Sequence, residues 1–178
     1  SERLAEMIDD LLELEKIEVG QIFLKNEKIK LKEEIDLIIE SLSTLIDEKK
    51  LTVENKVSPN YKFKSDKQSL RDILINLLNN AVKYSKEHGR VILSSRVSKD
   101  FLILEIKDFG YGIEKANIKR IFDRFYRTAK ARANTKGTGL GLTLVNQLVK
   151  RIGGEISVES TIGKGSTFFI KFPFKTVK

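Results

Sequence analysis

Asn76-Leu77-Leu78-Asn79-Asn80-Ala81-Val82-Lys83-Tyr84-Ser85 is the stretch that decides how this chain folds. Leu70, Ile73, Leu74, Leu77, Leu78 and Ala81 recur at helical spacing, and Asp66 stands where an N-cap is wanted. The spacing predicts a long helix from Asp66 to about Lys86. Asn76, Asn80 and Lys83 fall at i, i+4 and i+7, on one face of that helix, whereas Asn79 and Ser85 are expected to point elsewhere. Asparagine is a mediocre helix former, so several of them in an apolar helix need a reason. An amide oxygen is a hard ligand suited to Mg²⁺, which draws its other ligands from water and substrate phosphates. A lysine one turn on reaches the same phosphates. Taken alone, a solvent-facing polar stripe accounts for these residues equally well.

Three glycine-rich segments lie downstream. Asp108-Phe109-Gly110-Tyr111-Gly112-Ile113 follows a predicted strand. Its glycines let backbone approach a ligand closely, and a carboxylate at a strand end accepts a hydrogen bond from an exocyclic amine. Gly137-Thr138-Gly139-Leu140-Gly141-Leu142 opens a helix, where free N–H groups and the helix dipole suit phosphate. It is neither a Walker motif, lacking the Gly-Lys-Ser/Thr ending, nor a dinucleotide fingerprint, lacking a strand just before it. Gly163-Lys164-Gly165-Ser166-Thr167-Phe168 reads as a hairpin turn. Each segment alone is an ordinary turn or hinge.

The remaining pattern alternates helices with strand pairs. Leu4, Met7, Leu11 and Leu14 form a helical seam over residues 2–18 that wants a partner helix. Strands are expected at Gln21–Leu24, Lys28–Lys30, Leu51–Val57, Tyr61–Lys64, Arg90–Val97, Phe101–Ile106, Glu155–Ser160 and Ser166–Pro173. Further helices are expected at 31–49, at about 118–126 and at 140–152. The polar stretch 127–138 reads as a mobile loop. The predicted class is α+β, with helices on one face of a mixed sheet and a helical stub in front.

Composition removes several functions. There is no cysteine and only one histidine, His88, so disulfides and multi-histidine or cysteine zinc sites are excluded. No apolar run approaches a membrane span, and no signal peptide is visible. The net charge of +8 is uneven: residues 1–18 carry seven acids against two bases, or −5, which leaves +13 for the rest. A basic body suits an anionic ligand. No nucleic-acid motif or aromatic–basic stripe accompanies the charge, so no nucleic-acid partner is expected.

In sequence order, the asparagine helix, Asp108–Gly112, Phe122-Asp123-Arg124-Phe125-Tyr126-Arg127, Gly137–Leu142 and Gly163–Phe168 resemble the N, G1, F, G2 and G3 boxes of the histidine-kinase catalytic domain. The resemblance spans roughly residues 28–174. Asp9-Asp10-Leu11-Leu12-Glu13-Leu14 through Ile17-Glu18-Val19-Gly20 is similar to the end of that family's second dimerisation helix. The resemblance implies a Bergerat ATP-binding sandwich and a division into 1–20 (dimerisation helix end), 21–27 (linker) and 28–178 (catalytic domain). ATP and Mg²⁺ are the implied cofactors.

By the same resemblance, Asn80 binds Mg²⁺ and Asn76 lines the pocket. Lys83 and Tyr84 contact phosphate or ribose. Asp108 reads the adenine amine, with Gly110, Gly112 and Ile113 around the ring and Thr167 supporting the contact through water. Arg127 approaches the terminal phosphate, while Thr138, Gly139, Leu140 and Gly141 bracket the phosphate tail. Residues 127–138 form the lid. Hydrolytic members of the superfamily place a glutamate general base where this chain has Asn76; a neutral amide cannot act as one. Asn76, Lys83 and Arg127 are therefore the residues expected to serve phosphoryl transfer to a histidine. That histidine is expected upstream of residue 1, since His88 sits in a loop beside Gly89. The implied partners are a histidine-bearing dimerisation domain, a response-regulator receiver domain and a second copy of the intact protein. The implied location is cytoplasmic, within a membrane-anchored parent. A catalytically silent nucleotide-binding scaffold, an ATPase of the same superfamily and a serine-modifying relative stay open.

Overall fold

Apolar spacing of 3.6 and 2 sorts the chain into helices and strands in a computed structural model that describes residues 2–20 and 23–174. Helix α1 (Glu2–Glu18) is followed by strand β1 (Asn26–Lys30), helices α2 (Leu31–Ser41) and α3 (Ser43–Glu48), and strands β2 (Thr52–Asn55) and β3 (Lys62–Asp66). Helix α4 (Lys67–Tyr84) leads into strands β4 (Arg90–Ser98) and β5 (Phe101–Asp108). Helices α5 (Ala129–Asn134) and α6 (Gly141–Arg151) and strands β6 (Glu155–Thr161) and β7 (Gly165–Pro173) complete it.

The main sheet runs β2-β4-β5-β7-β6, with β2 parallel to β4 and every other pair antiparallel. Alternation turns Val91 and Leu93, then Leu102, Leu104 and Ile106, then Phe168, Ile170 and Phe172 into one buried face. Against it lie Leu70, Ile73, Leu74 and Leu77 of α4 and Leu144, Val145, Leu148 and Val149 of α6. Each such side chain contributes roughly 1.5–3 kcal/mol by leaving water. Asp66 caps α4 as expected, its Oδ1 accepting from Ser69 N at 2.8 Å. The small β1–β3 sheet seats Ile29 and Phe63 inward, and Phe63 stacks on Phe172 at 6.3 Å between centroids.

Four local expectations change. The helix expected over 31–49 breaks at Leu42, whose N–H is shared between the carbonyls of Ile38 and Ile39 at 3.1 Å, while Ser41 Oγ also bonds Ile38 O at 2.7 Å. Such back-bonding bends helices. Of the strand expected at Gln21–Leu24, Gln21 and Ile22 lie outside the described residues; Leu24 is not in a strand, and β1 begins at Asn26. The helix expected over 118–126 is a chain of successive four-residue turns, with Arg120 N on Asn117 O (2.9 Å) and Asp123 N on Arg120 O (2.9 Å). The loop expected over 127–138 contains α5, because Thr128 Oγ1 accepts from Ala131 N at 3.1 Å and caps it.

The seam of α1 divides. Leu14 and Ile17 are buried and Leu11 packs against the same core, whereas Leu4, nearer the N-terminus of the same stripe, and Ile8 and Leu12 beside it stay exposed. Half of the seam expected to await a partner helix is thus taken up by the body. Polar contacts fasten the helix: Asp10 Oδ2 accepts from Thr138 Oγ1 at 2.8 Å, Glu18 pairs with Arg124, and Arg151 donates to Ile17 O at 3.4 Å. Replacing Leu14 by Ala should cost about 2–5 kcal/mol of unfolding free energy, as for other fully buried leucines. Urea denaturation checks this, and an unchanged midpoint would contradict the docking of α1.

Candidate functional site

The inward row of β5 reads Leu102, Leu104, Ile106 and then Asp108, so alternation delivers a carboxylate to the end of a hydrocarbon row. Its cross-strand neighbours are Val91 on β4 and Ser166 on β7. Asp108 is only 5% exposed. Oδ1 accepts from Gly110 N at 2.9 Å and Ser166 N at 3.3 Å, and Oδ2 takes neither bond. Burial pushes the carboxyl above its ordinary value, and the backbone amides pull it partly back.

The loop after Asp108 rests on the end of α4. Tyr111 N donates to Tyr84 O at 3.2 Å. A Cβ on Gly110 would stand 2.0 Å from that same oxygen, so only glycine permits the approach. Between α4, this loop and the segment before α6 lies a cavity of about 310 Å³. Asn76, Asn79, Asn80, Lys83 and Tyr84 line it from α4, and Asp108, Gly112 and Ile113 from β5 and its loop. Arg127, Thr138, Gly139 and Gly141 line the opposite wall.

Asn76 Nδ2 donates to Asp72 O at 2.9 Å within its own helix, and a Cβ on Gly141 would lie 2.7 Å from Asn76 Oδ1. The start of α6 therefore sits close against the asparagine face, and a side chain at 141 would displace the Asn76 amide. Asn79 Oδ1 is sealed from solvent and accepts no hydrogen bond among the described residues. Arg127 does not extend freely into the cavity. Its guanidinium donates to Gly137 O at 3.1 Å, Ala131 O at 2.6 Å and Thr135 Oγ1 at 3.1 Å, folding 127–137 onto itself. The same segment reaches across the cavity: Thr135 Oγ1 donates to Tyr84 Oη at 3.4 Å, and Lys130 lies 4.4 Å over the Tyr111 ring.

Three expected residues lie outside the lining. Gly110 clears space for the Tyr84 carbonyl. Leu140 is fully buried in the core; its backbone N–H, not its side chain, serves the loop by donating to Thr138 Oγ1 at 3.2 Å. Thr167 sits one residue out of phase on β7, on the face away from Asp108, and Ser166 occupies the position beside the carboxylate. Asp10, Tyr111 and Ser166 line the cavity without having been singled out, and Asn79, expected to point away from the face of Asn76, Asn80 and Lys83, lines it as well. Asn79 is i+3 from Asn76 and so neighbours it on the helix surface, which the expectation overlooked, and Ser166 shares a period-two row with Phe168 and Ile170. Nothing in the local sequence of α1 announces Asp10, which arrives by tertiary docking.

Residues 65–176 match the family model described as histidine kinase-, DNA gyrase B- and HSP90-like ATPase, and the chain belongs to that family. It is 37% identical over 186 residues to the circadian input-output histidine kinase CikA of Synechococcus elongatus, across 99% of this chain and 24% of CikA. It is 33% identical over 178 residues to the sensor histidine kinase WalK of Bacillus subtilis, across 98% of this chain and 29% of WalK. The crystal structure of full-length ShkA in complex with AMPPNP superposes with a TM-score of 0.87 at 28% identity, over 98% of this chain and 36% of ShkA. The fold is that of an ATP-binding catalytic domain of the histidine-kinase type, and the chain spans about a quarter to a third of these relatives' lengths.

Asp108→Asn keeps the Oδ1 acceptor and removes the buried charge. A carboxyl whose pKa is raised by folding contributes stability only at low pH, and that contribution is lost as pH rises through its folded pKa. The ligand-free variant should therefore melt higher than the parent at pH 7, with the gap closing as pH falls. A lower melting temperature at pH 7 would contradict a net cost of the ionised group.

Proposed function

We propose that this chain is the phosphoryl-donating part of a two-component sensor histidine kinase. Residues 1–20 would end a dimerisation helix, 21–27 link, and 28–178 hold the nucleotide. ATP supplies the γ-phosphoryl group, and Mg²⁺ spreads and neutralises its charge.

The residues present suit both. Asp108 Oδ2, which takes neither amide bond, would accept from the adenine amine, with Ser166 in the supporting role. Lys83, Tyr84, Thr138, Gly139 and Gly141 serve the ribose and phosphates. Asn80 is the Mg²⁺ ligand. Among the described residues no cluster of three acids or histidines is built to hold a metal. Mg²⁺ takes most of its ligands from phosphate and water, so one amide oxygen from the protein is enough. Arg127 acts first as the brace of the lid and meets the terminal phosphate when the lid moves.

The observation that carries the kinase reading over an ATPase is Asn76. The amide lines the cavity and its nitrogen is engaged with Asp72 O; by the family resemblance, this is the position at which a hydrolytic relative carries its carboxylate base. Asp10 and Asp108 also line the cavity, but both are held, by Thr138 and by the Gly110 and Ser166 amides. ATP should be bound without rapid loss of its terminal phosphate to water, leaving it for an imidazole. His88 is a poor acceptor: it sits at φ 56° in the turn after α4, with no helix around it. The acceptor is proposed to lie on a preceding helix, in a homodimer that then serves a receiver domain. Among the described residues no helix is long and apolar enough to cross a membrane, and a cytoplasmic domain of a membrane-anchored parent is the proposed setting.

Incubation with γ-labelled ATP and the parent's histidine-bearing helix pair should place acid-labile label on the helices and none on this chain. Label on His88, or phosphate release to water outpacing transfer, would contradict the reading. Asp108→Asn should also weaken ATP binding by roughly 10–100-fold, the worth of a hydrogen bond of about 1.5–3 kcal/mol to a charged group, as titration calorimetry will show.

A further inference from the structure

The last carbonyls of a helix have no intrahelical amide to receive them and must be met from outside. At the end of α4 each of the five carbonyls from Ala81 to Ser85 has a partner. Ala81 O accepts from Ser85 N at 3.1 Å and Ser85 Oγ at 2.7 Å. Tyr84 O accepts from Tyr111 N. The other three are met by one side chain: Lys49 Nζ donates to Val82 O and Ser85 O at 3.0 Å each, and to Lys83 O. Three donors and no acceptor make an ammonium the matching group for three converging carbonyls, and a cation there also complements the helix dipole.

Lys49 is itself held. It follows α3, its carbonyl accepts from His88 N at 2.9 Å, and Lys50 turns the chain at φ 53°. Lys49 does not line the nucleotide cavity, yet what it fastens does. The carbonyls of Val82, Lys83 and Ser85 flank the one turn whose Lys83 and Tyr84 side chains line that cavity. Tyr84 also carries the Asp108–Gly112 loop on its carbonyl and touches Thr135 of the lid with its hydroxyl.

We infer that Lys49 is a positioning residue for nucleotide binding: its ammonium ties down the C-terminal turn of α4, so that Lys83, Tyr84 and the glycine loop meet the nucleotide in a preset geometry. This rests on the proposed roles of Lys83, Tyr84 and Asp108. The test titrates a non-hydrolysable ATP analogue into the whole chain and into Lys49→Met, Lys49→Arg and Asp66→Ala, at a temperature where circular dichroism shows each folded. Lys49→Met should bind about tenfold more weakly, as misplacement of a preorganised group does. Lys49→Arg, which keeps the charge but spreads its donors in a plane, should bind between the parent and Lys49→Met. Asp66→Ala removes the cap at the other end of the same helix, and should lower the melting temperature while leaving affinity unchanged.

Wild-type affinity in Lys49→Met would overturn the inference, whereas failure of the unsubstituted chain to bind would instead defeat the nucleotide reading. If Lys49→Met does not fold, hydrogen exchange on the unsubstituted chain decides. Saturating analogue should slow the amides of Ser85 and Tyr111 together, and slowing of Tyr111 alone would overturn the inference.

Discussion

Asp108 carries its charge at the end of a row of Leu102, Leu104 and Ile106, and the surrounding structure serves to make that position tolerable and useful. A carboxylate out of water costs several kcal/mol unless hydrogen-bonded. Gly110 N and Ser166 N supply those bonds to one oxygen, which requires β7 in register and the loop folded back. The loop folds back only because Gly110 presents no side chain to Tyr84 O, and Tyr84 O is where it is because Lys49 ties down the turn around it. Sheet, loop and helix end are thus one mechanical unit.

Helix α1 adds a second unit with opposing terms. Burial of Leu14 and Ile17 holds it to the body, and Thr138 binds its Asp10. The same docking brings Glu13 close to Asp72 of α4, while Asp10 lies one turn away from it on α1 itself. Burial first, and then those two charges, lift the Glu13 carboxyl above its usual range; Asp72 is lifted mainly by burial. Both raised groups oppose docking at neutral pH and cease to oppose it as pH falls through their folded values. The helix therefore sits by hydrophobic contact against an electrostatic resistance, next to the wall of the cavity that carries Thr138 and Gly139.

The asparagine helix, its Asp66 cap and the strand pairs were legible because one period dominates each of them. The order of the glycine segments made the family recognisable where no single segment would. What escaped was set by phase and by tertiary contact. Thr167 and Ser166 are adjacent, and only the pleat of β7 tells which one faces Asp108. The polar stretch 127–138 hid a helix because its cap, Thr128, is one residue among many polar ones, and because Arg127 spends its donors on the lid's own carbonyls. Asp10 and Lys49 belong to segments remote from the site in sequence, and their contacts exist only once α1 and α3 have docked.

Calorimetric titration of a non-hydrolysable ATP analogue into the chain, with and without Mg²⁺, tests the central claim most directly. Saturable one-to-one binding that weakens when the metal is withheld is the predicted result. Absence of binding at millimolar analogue, a free energy weaker than about −4 kcal/mol, would contradict a site built on Asp108 and Asn80.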